Sequence, residues 1–285
     1  MKVTSNALKL NNKKHASHPT RSTALVELPW HSVARTVIST SRMTLLIGEP
    51  GCGKTEAGQH FLTQFNGHEP VVLNGTPETE RQDFLGTFLL VGGESQFSDF
   101  SLTRALRECR SLLINELGQV PVETLVTLLP LRDGRSTYSH PITSEDIPVP
   151  DDFRIVATAN PQSLEMSCRR ATESAKAILE GFSIIEVPVP TTEQLQAIVH
   201  SHLPDADSDL ISSGLAHWEM YRGIKQERSV SGLSVRSILE YVRLRTGGLK
   251  DSSATRIAFV NKFIYDSDLH SSAALRWSMN TSGDQ

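Results

Sequence analysis

The chain has 285 residues, a formal net charge of -4, and hydrophobic and charged contents of 38% and 21%. That length buries a large core in one large or two modest domains, and the composition is that of an ordinary soluble globular protein. The slight acidity gives no global case for nucleic-acid binding, and no apolar run approaches the roughly 20 residues needed to span a bilayer.

Residues 1–22 are polar and basic, with Lys2, Lys9, Lys13, Lys14 and Arg21. They read as a mobile arm that could touch nucleic acid or an acidic partner, or simply as a solvated tail. There is no apolar core behind Met1, so the start does not read as a secretory leader. Cys52, Cys109 and Cys168 have no metal spacing and fit a reduced, cytosolic setting. Residues 23–42 carry Leu25, Val26, Leu28, Trp30, Val33, Val37 and Ile38, and their later part is helix-like.

Met43–Ile47 is a short apolar run that predicts a buried strand. Gly48-Glu49-Pro50-Gly51-Cys52-Gly53-Lys54-Thr55 follows and fits G-x-x-x-x-G-K-[ST] at every fixed position. Glu56, Ala57, His60, Phe61 and Phe65 continue as a helix, which is the context this motif requires. The glycines let successive N–H groups turn inward at phosphate oxygens, and the helix start adds its positive end. In that arrangement Lys54 reaches the outer phosphates and the Thr55 hydroxyl sits on a magnesium ion. Oxidation of Cys52 would block the loop; a small tolerated side chain is its plainer reading.

Residues 70–75 read as a second strand and 76–80 as a helix start. Residues 91–101 read as loop, and 102–107 as a helix with a basic face. Ser111–Glu116 is a short apolar strand with an acidic end, placed where phosphate-loop enzymes hold magnesium and prepare water. Its penultimate residue, Asn115, is an amide that can accept from a metal-bound water without bringing charge; Glu116 is a base to polarise water. A helix is predicted from Val120 through Leu129, a turn at 131–136 and a hairpin or extended insertion at 136–150. Residues 153–159 form another buried strand ending at Asn160. Asn160 can hold the lytic water beside the terminal phosphate, or serve with Pro161 as a turn pair. Residues 162–180 are polar and then helical, 182–187 form a last strand, and Pro188 and Pro190 mark a boundary. Helices alone follow, one with Ser234 as its cap.

Strands alternating with helices, then helices only, predict an α/β fold: a parallel sheet sandwiched by helices at 23–190 and a small all-α lid at 191–285. Ligands of such sheets sit at the carboxyl ends of the strands, where Thr55, Asn115, Glu116 and Asn160 converge.

The ordered pieces GEPGCGKTEAG, DFLGTF, SLTRAL, LLINEL, LRDGRSTY and FRIVATANP resemble the AAA+ ATPases. They look most like the MoxR and dynein-related branch, with the CbbQ/NirQ activases and the cobalt chelatase small subunit. The resemblance covers roughly residues 24–250. It implies that Gly48–Thr55, followed by Glu56, is Walker A, that Asn115-Glu116 stands at Walker B, that Asn160 is at the sensor-1 position and that Arg236 matches sensor 2. It further implies ATP and magnesium as cofactors and a hexameric homo-oligomeric ring. It also implies a protein substrate, with a von Willebrand-type partner in some relatives, and insertions near 86–101 and 136–150 that face the pore or substrate. Two positions depart from the pattern. Asn115 stands where the branch has Asp, and Gly181 stands where its arginine finger is expected, leaving Arg169 or Arg170 as substitutes. The implied function is an ATPase that remodels or activates a partner. The alternatives are a nucleotide-held scaffold subunit and, through Arg104, Arg107 and Arg110, a nucleic-acid motor or loader.

Overall fold

A computed structural model describes residues 25–170, 173–222, 233–264 and 267–281. The N-terminal arm predicted at 1–22 lies outside them.

The apolar runs read from the sequence pair as one parallel five-stranded sheet in the order β2-β5-β8-β1-β9. These strands are β1 (Met43–Gly48), β2 (Val71–Asn74), β5 (Leu112–Asn115), β8 (Ile155–Ala159) and β9 (Ser183–Val187). Alternate side chains go to opposite faces, as the pleat dictates. Leu46, Leu113, Val156 and Ile185 pack under α1 (Pro29–Thr40) and α2 (Lys54–Asn66). Leu45, Leu112, Ile114, Ile155 and Ala157 build the core on the other face. That second layer includes α3 (Arg81–Leu85), α4 (Ser101–Arg107), α5 (Val122–Leu125) and α6 (Leu129–Arg132), together with α7 (Pro161–Arg170) and α8 (Glu173–Leu179).

A third core, with Trp218, Tyr221, Tyr241 and Phe259 at its centre, belongs to the C-terminal helices. They are α9 (Thr192–His202), α10 (Ser208–Arg222), α11 (Val235–Thr246), α12 (Asp251–Ala258) and α13 (Ser267–Thr281). Ser234 caps α11 by accepting from the Arg236 N–H, as its position predicts.

Four local readings change. Residues 91–101 are not loop: β3 (Gly86–Val91) and β4 (Glu94–Asp99) form an antiparallel hairpin closed by Gly92 and Gly93, both at positive φ. The helix predicted from Val120 to Leu129 starts only after Pro121 and is broken into short α and 3-10 turns, with Pro130 removing a hydrogen-bond donor from the ladder. Residues 76–80 are a turn, and α3 starts only at Arg81. Helix α7 starts at Pro161 itself, where a missing N–H costs nothing. The insertion near 136–150 is a hairpin of β6 (Thr137–Ser139) and β7 (Asp146–Pro148), as expected. Among the described residues no helix is long and apolar enough to cross a membrane.

Candidate functional site

Parallel register brings three strand ends to one level. Ile47 pairs with Ala159 on β8, and Ile114 of β5 pairs with Ala157. One step further along the strands stand Gly48, Asn160 and the Asn115-Glu116 pair. The sequence spacing alone could not show this, because it depends on which strands are neighbours.

The phosphate loop turns at Gly51 and Gly53, whose φ values of 82° and 85° are in the left-handed region. Helix α2 begins immediately at Lys54. The Lys54 ammonium is buried and donates to the carbonyls of Gly48 and Glu49, each at 2.8 Å, and to Asn160 Oδ1 at 3.3 Å. Asn160 Nδ2 in turn donates to Glu116 Oε2 at 3.0 Å. Lysine, amide and carboxylate thus form one chain across β1, β8 and β5. Glu116 is held in a left-handed backbone conformation, φ 56°, with its N–H on Thr158 Oγ1 at 3.2 Å. A non-glycine residue there is strained, and such strain concentrates at functional positions.

Asn115 turns its amide toward β2, donating to Asn74 Oδ1 at 2.9 Å. Its own Oδ1 is buried with no partner among the described residues, an acceptor left open beside the strand tips. The Thr55 hydroxyl lines the cavity and suits a magnesium ion, whereas Asn115 stands behind the lining with its Oδ1 sealed from solvent. Cys52 is buried against the loop and donates its thiol to Glu49 O at 2.9 Å. Burial pushes its pKa up, so it stays a thiol and packs as a small apolar group.

A cavity of about 410 Å³ lies over the loop. Pro50 through Glu56, with Glu116, line its polar part, and Arg236 and Val235 of α11 close it from the helical side. The Arg236 guanidinium bonds no described residue. The helical region sits directly on the loop: a Cβ on Gly51 would stand 2.2 Å from Ser234 Cβ. The other end of the cavity is apolar, made by Leu25, Val26, Leu28, Ile198 and Leu239, with His31 and His202 beside them. Sequence reading noted Leu25, Val26 and Leu28 as apolar without assigning them to a ligand. It also missed Asn74 and Thr158, since partner strands are invisible in a linear pattern. His31 accepts the Leu28 N–H on Nδ1 at 3.1 Å, and burial lowers its pKa, so it is neutral.

Arg169 is exposed and paired with Glu165 one turn back on α7; Arg170's side chain is outside the described residues. The basic face of α4 is largely spent internally. Arg107 pairs with Asp99 and Glu145, and Arg110 with Glu108 and the carbonyls of Glu69 and Pro70.

A phosphate loop whose lysine meets in-register polar strand ends, under a helical cap, defines a P-loop nucleotide-binding protein. Residues 43–177 match the AAA domain of the dynein-related subfamily, a branch of the AAA+ proteins. It is 27% identical over 227 residues to Protein NorQ of Paracoccus denitrificans (strain Pd 1222), covering 79% of this chain and 81% of that one. It is 25% identical over 213 residues to the denitrification regulatory protein NirQ of Stutzerimonas stutzeri, covering 74% of each. In fold it is similar to NtrX from Brucella abortus in complex with ADP, with a TM-score of 0.54, 16% identity, and coverage of 89% of this chain. It spans 61% of that NtrX chain.

Proposed function

We propose that the protein binds ATP with magnesium between the strand tips and the helical lid and hydrolyses it in a ring-shaped, hexameric homo-oligomer. The cycle remodels or activates a partner protein in the cytoplasm. The observation that carries this reading is the hydrogen-bonded chain Lys54–Asn160–Glu116 at the mouth of the cavity. It links a phosphate-binding cation, a polar group able to sense the terminal phosphate, and the carboxylate that faces water.

The roles follow from chemistry. Loop N–H groups and the α2 terminus hold the phosphates, and Lys54 leaves the loop carbonyls to meet the outer ones. Magnesium, when bound, neutralises charge on the phosphates. Thr55 is the residue that fits to hold it. Glu116 polarises the attacking water and Asn160 orients it. Arg236 brings a cation from the lid. The apolar end of the cavity takes the base. NirQ, whose name is that of a denitrification regulatory protein, supports partner activation as the output of the cycle.

A second reading, a nucleotide-held scaffold subunit that turns over little, is favoured by Asn115, which removes one negative charge from the ion site. The nucleic-acid reading is weakened by the internal pairing of Arg107 and Arg110.

Light scattering with and without a slowly hydrolysed ATP analogue tests the assembly. The analogue is expected to drive the parent chain into a ring and to leave Lys54→Ala unassembled. A monomer at micromolar protein in both conditions contradicts the proposal.

A further inference from the structure

The resemblance to the MoxR and dynein-related branch places Gly181 where that branch has its arginine finger, which predicts an empty position. The structure fills it from elsewhere. A Cβ on Gly181 would stand 2.5 Å from Arg132 Cγ and 2.7 Å from its Cδ, so the Arg132 stem lies across the glycine. Two groups fix the guanidinium there. Nη1 donates to the Ala177 carbonyl at 3.3 Å, in the last turn of α8, and Nε donates to Asp133 Oδ1 at 2.9 Å. Carbonyls at a helix C-terminus attract a cation, and the missing side chain at 181 leaves the stem its path. Nη2 carries no bond to any described residue, and the side chain is 35% exposed.

Arg132 cannot serve its own site. Val187, at the end of β9, pairs with Gly48 beside the phosphate loop. Gly181 lies six residues earlier, at the opposite end of the sheet, roughly 20 Å away at about 3.3 Å per residue. The Arg42 Nη1 bond to the Arg135 carbonyl at 2.8 Å ties the Arg132 turn to that same end, just before β1. In a head-to-tail ring, one face of each protomer meets the opposite face of the next. A residue remote from its own site is then available to a neighbour's. Hydrolysis leaves charge on the phosphoryl oxygens, and a planar guanidinium with a free N–H edge neutralises it better than a point charge.

We propose that Arg132 is the catalytic cation supplied in trans: its guanidinium, carried on the stem that lies over Gly181, contacts the terminal phosphate bound in the adjacent protomer. This rests on the ring ATPase reading and names the residue that completes its site. Gly181→Arg would then displace Arg132 and lower turnover instead of raising it.

The experiment measures phosphate release and nucleotide binding in the full-length chain for Arg132→Ala and Arg132→Met. The second keeps the stem over Gly181 and removes only the charge, so it separates chemistry from folding. Both are expected to bind ATP like the parent, to assemble, and to lose about 10³-fold in turnover. Mixing Arg132→Met with Glu116→Gln subunits is expected to restore turnover that neither has alone. One protomer contributes an intact site and the other an intact arginine. Turnover of Arg132→Met within about twofold of the parent, or no recovery on mixing, overturns the assignment while the ATPase reading stands. A parent that neither assembles nor turns over overturns both.

Discussion

Lys54 has its protons committed to Gly48, Glu49 and Asn160. A phosphate must replace those acceptors, and an anionic one does so favourably, since charge-assisted bonds are worth about 1.5–3 kcal/mol. Lys54→Ala is therefore expected to weaken ATP binding by roughly 10- to 100-fold while the chain stays folded. Titration with a fluorescent ATP analogue checks this, and unchanged affinity removes Lys54 from the phosphates. Asn115→Asp gives a sharper test of the ion site. A carboxylate there would face Asn74 Oδ1, so the Asn74 amide must turn over and donate instead. The expected outcome is tighter magnesium dependence of turnover, and an Asn74→Asp partner change should abolish the gain by setting two carboxylates together. At two other residues the pH matters. Burial lowers the pKa of His31 and of His217, so both are neutral in the fold. Above the unfolded histidine value neither state holds the extra proton. Below it the unfolded chain takes protons that the fold refuses, so stability falls with pH until each lowered folded value is reached, by up to about 1.4 kcal/mol per pH unit per group. Melting between about pH 7.5 and 5.5 should show Tm falling, and His217→Gln should flatten the fall. A Tm that rises toward acid contradicts this.

At the scale of elements, the seating of α11 on the phosphate loop is the contact to perturb. Gly51→Ala forces a left-handed φ on a residue with a Cβ and drives that atom into Ser234. The backbone strain alone costs about 1–2 kcal/mol. ATP affinity should fall, and adding Ser234→Gly should recover only the steric part. No loss in the single variant, or no recovery in the double variant, would show that the cap does not bear on the loop. The same scale shows what a linear reading can and cannot reach. Strands β1, β5 and β8 were legible because each is a short apolar run ending in a polar or glycine residue, and their tips carried the site residues. The β3–β4 hairpin was not legible. Phe88, Leu89, Leu90 and Val91 are all exposed, so the strand lacks the alternation that marks a half-buried one, and Gly92-Gly93 reads as loop. The cation over Gly181 was hidden for a different reason: Arg132 is 49 positions earlier in the chain, and only folding brings its stem there. The apolar end of the cavity was hidden because Leu25 and Leu28 look the same in sequence whether they line a cavity or fill a core.

At the scale of the whole molecule, the sheet and the helical cap have separate cores, and the 410 Å³ cavity lies where they meet. Nucleotide bound there touches both, so it should order the cap against the sheet and stabilise the chain by mass action. Thermal melting with ADP and with the slowly hydrolysed analogue should raise Tm in the parent and leave Lys54→Ala unmoved; equal shifts in both would place the nucleotide elsewhere. The central claim is that this site hydrolyses ATP through Glu116, and phosphate release under saturating ATP and magnesium tests it most directly. The account predicts measurable turnover in the parent and a loss of at least about 10²-fold in Glu116→Gln, with ATP binding retained in both. Equal rates in the two proteins, or a loss of binding that accompanies the loss of rate, would contradict it.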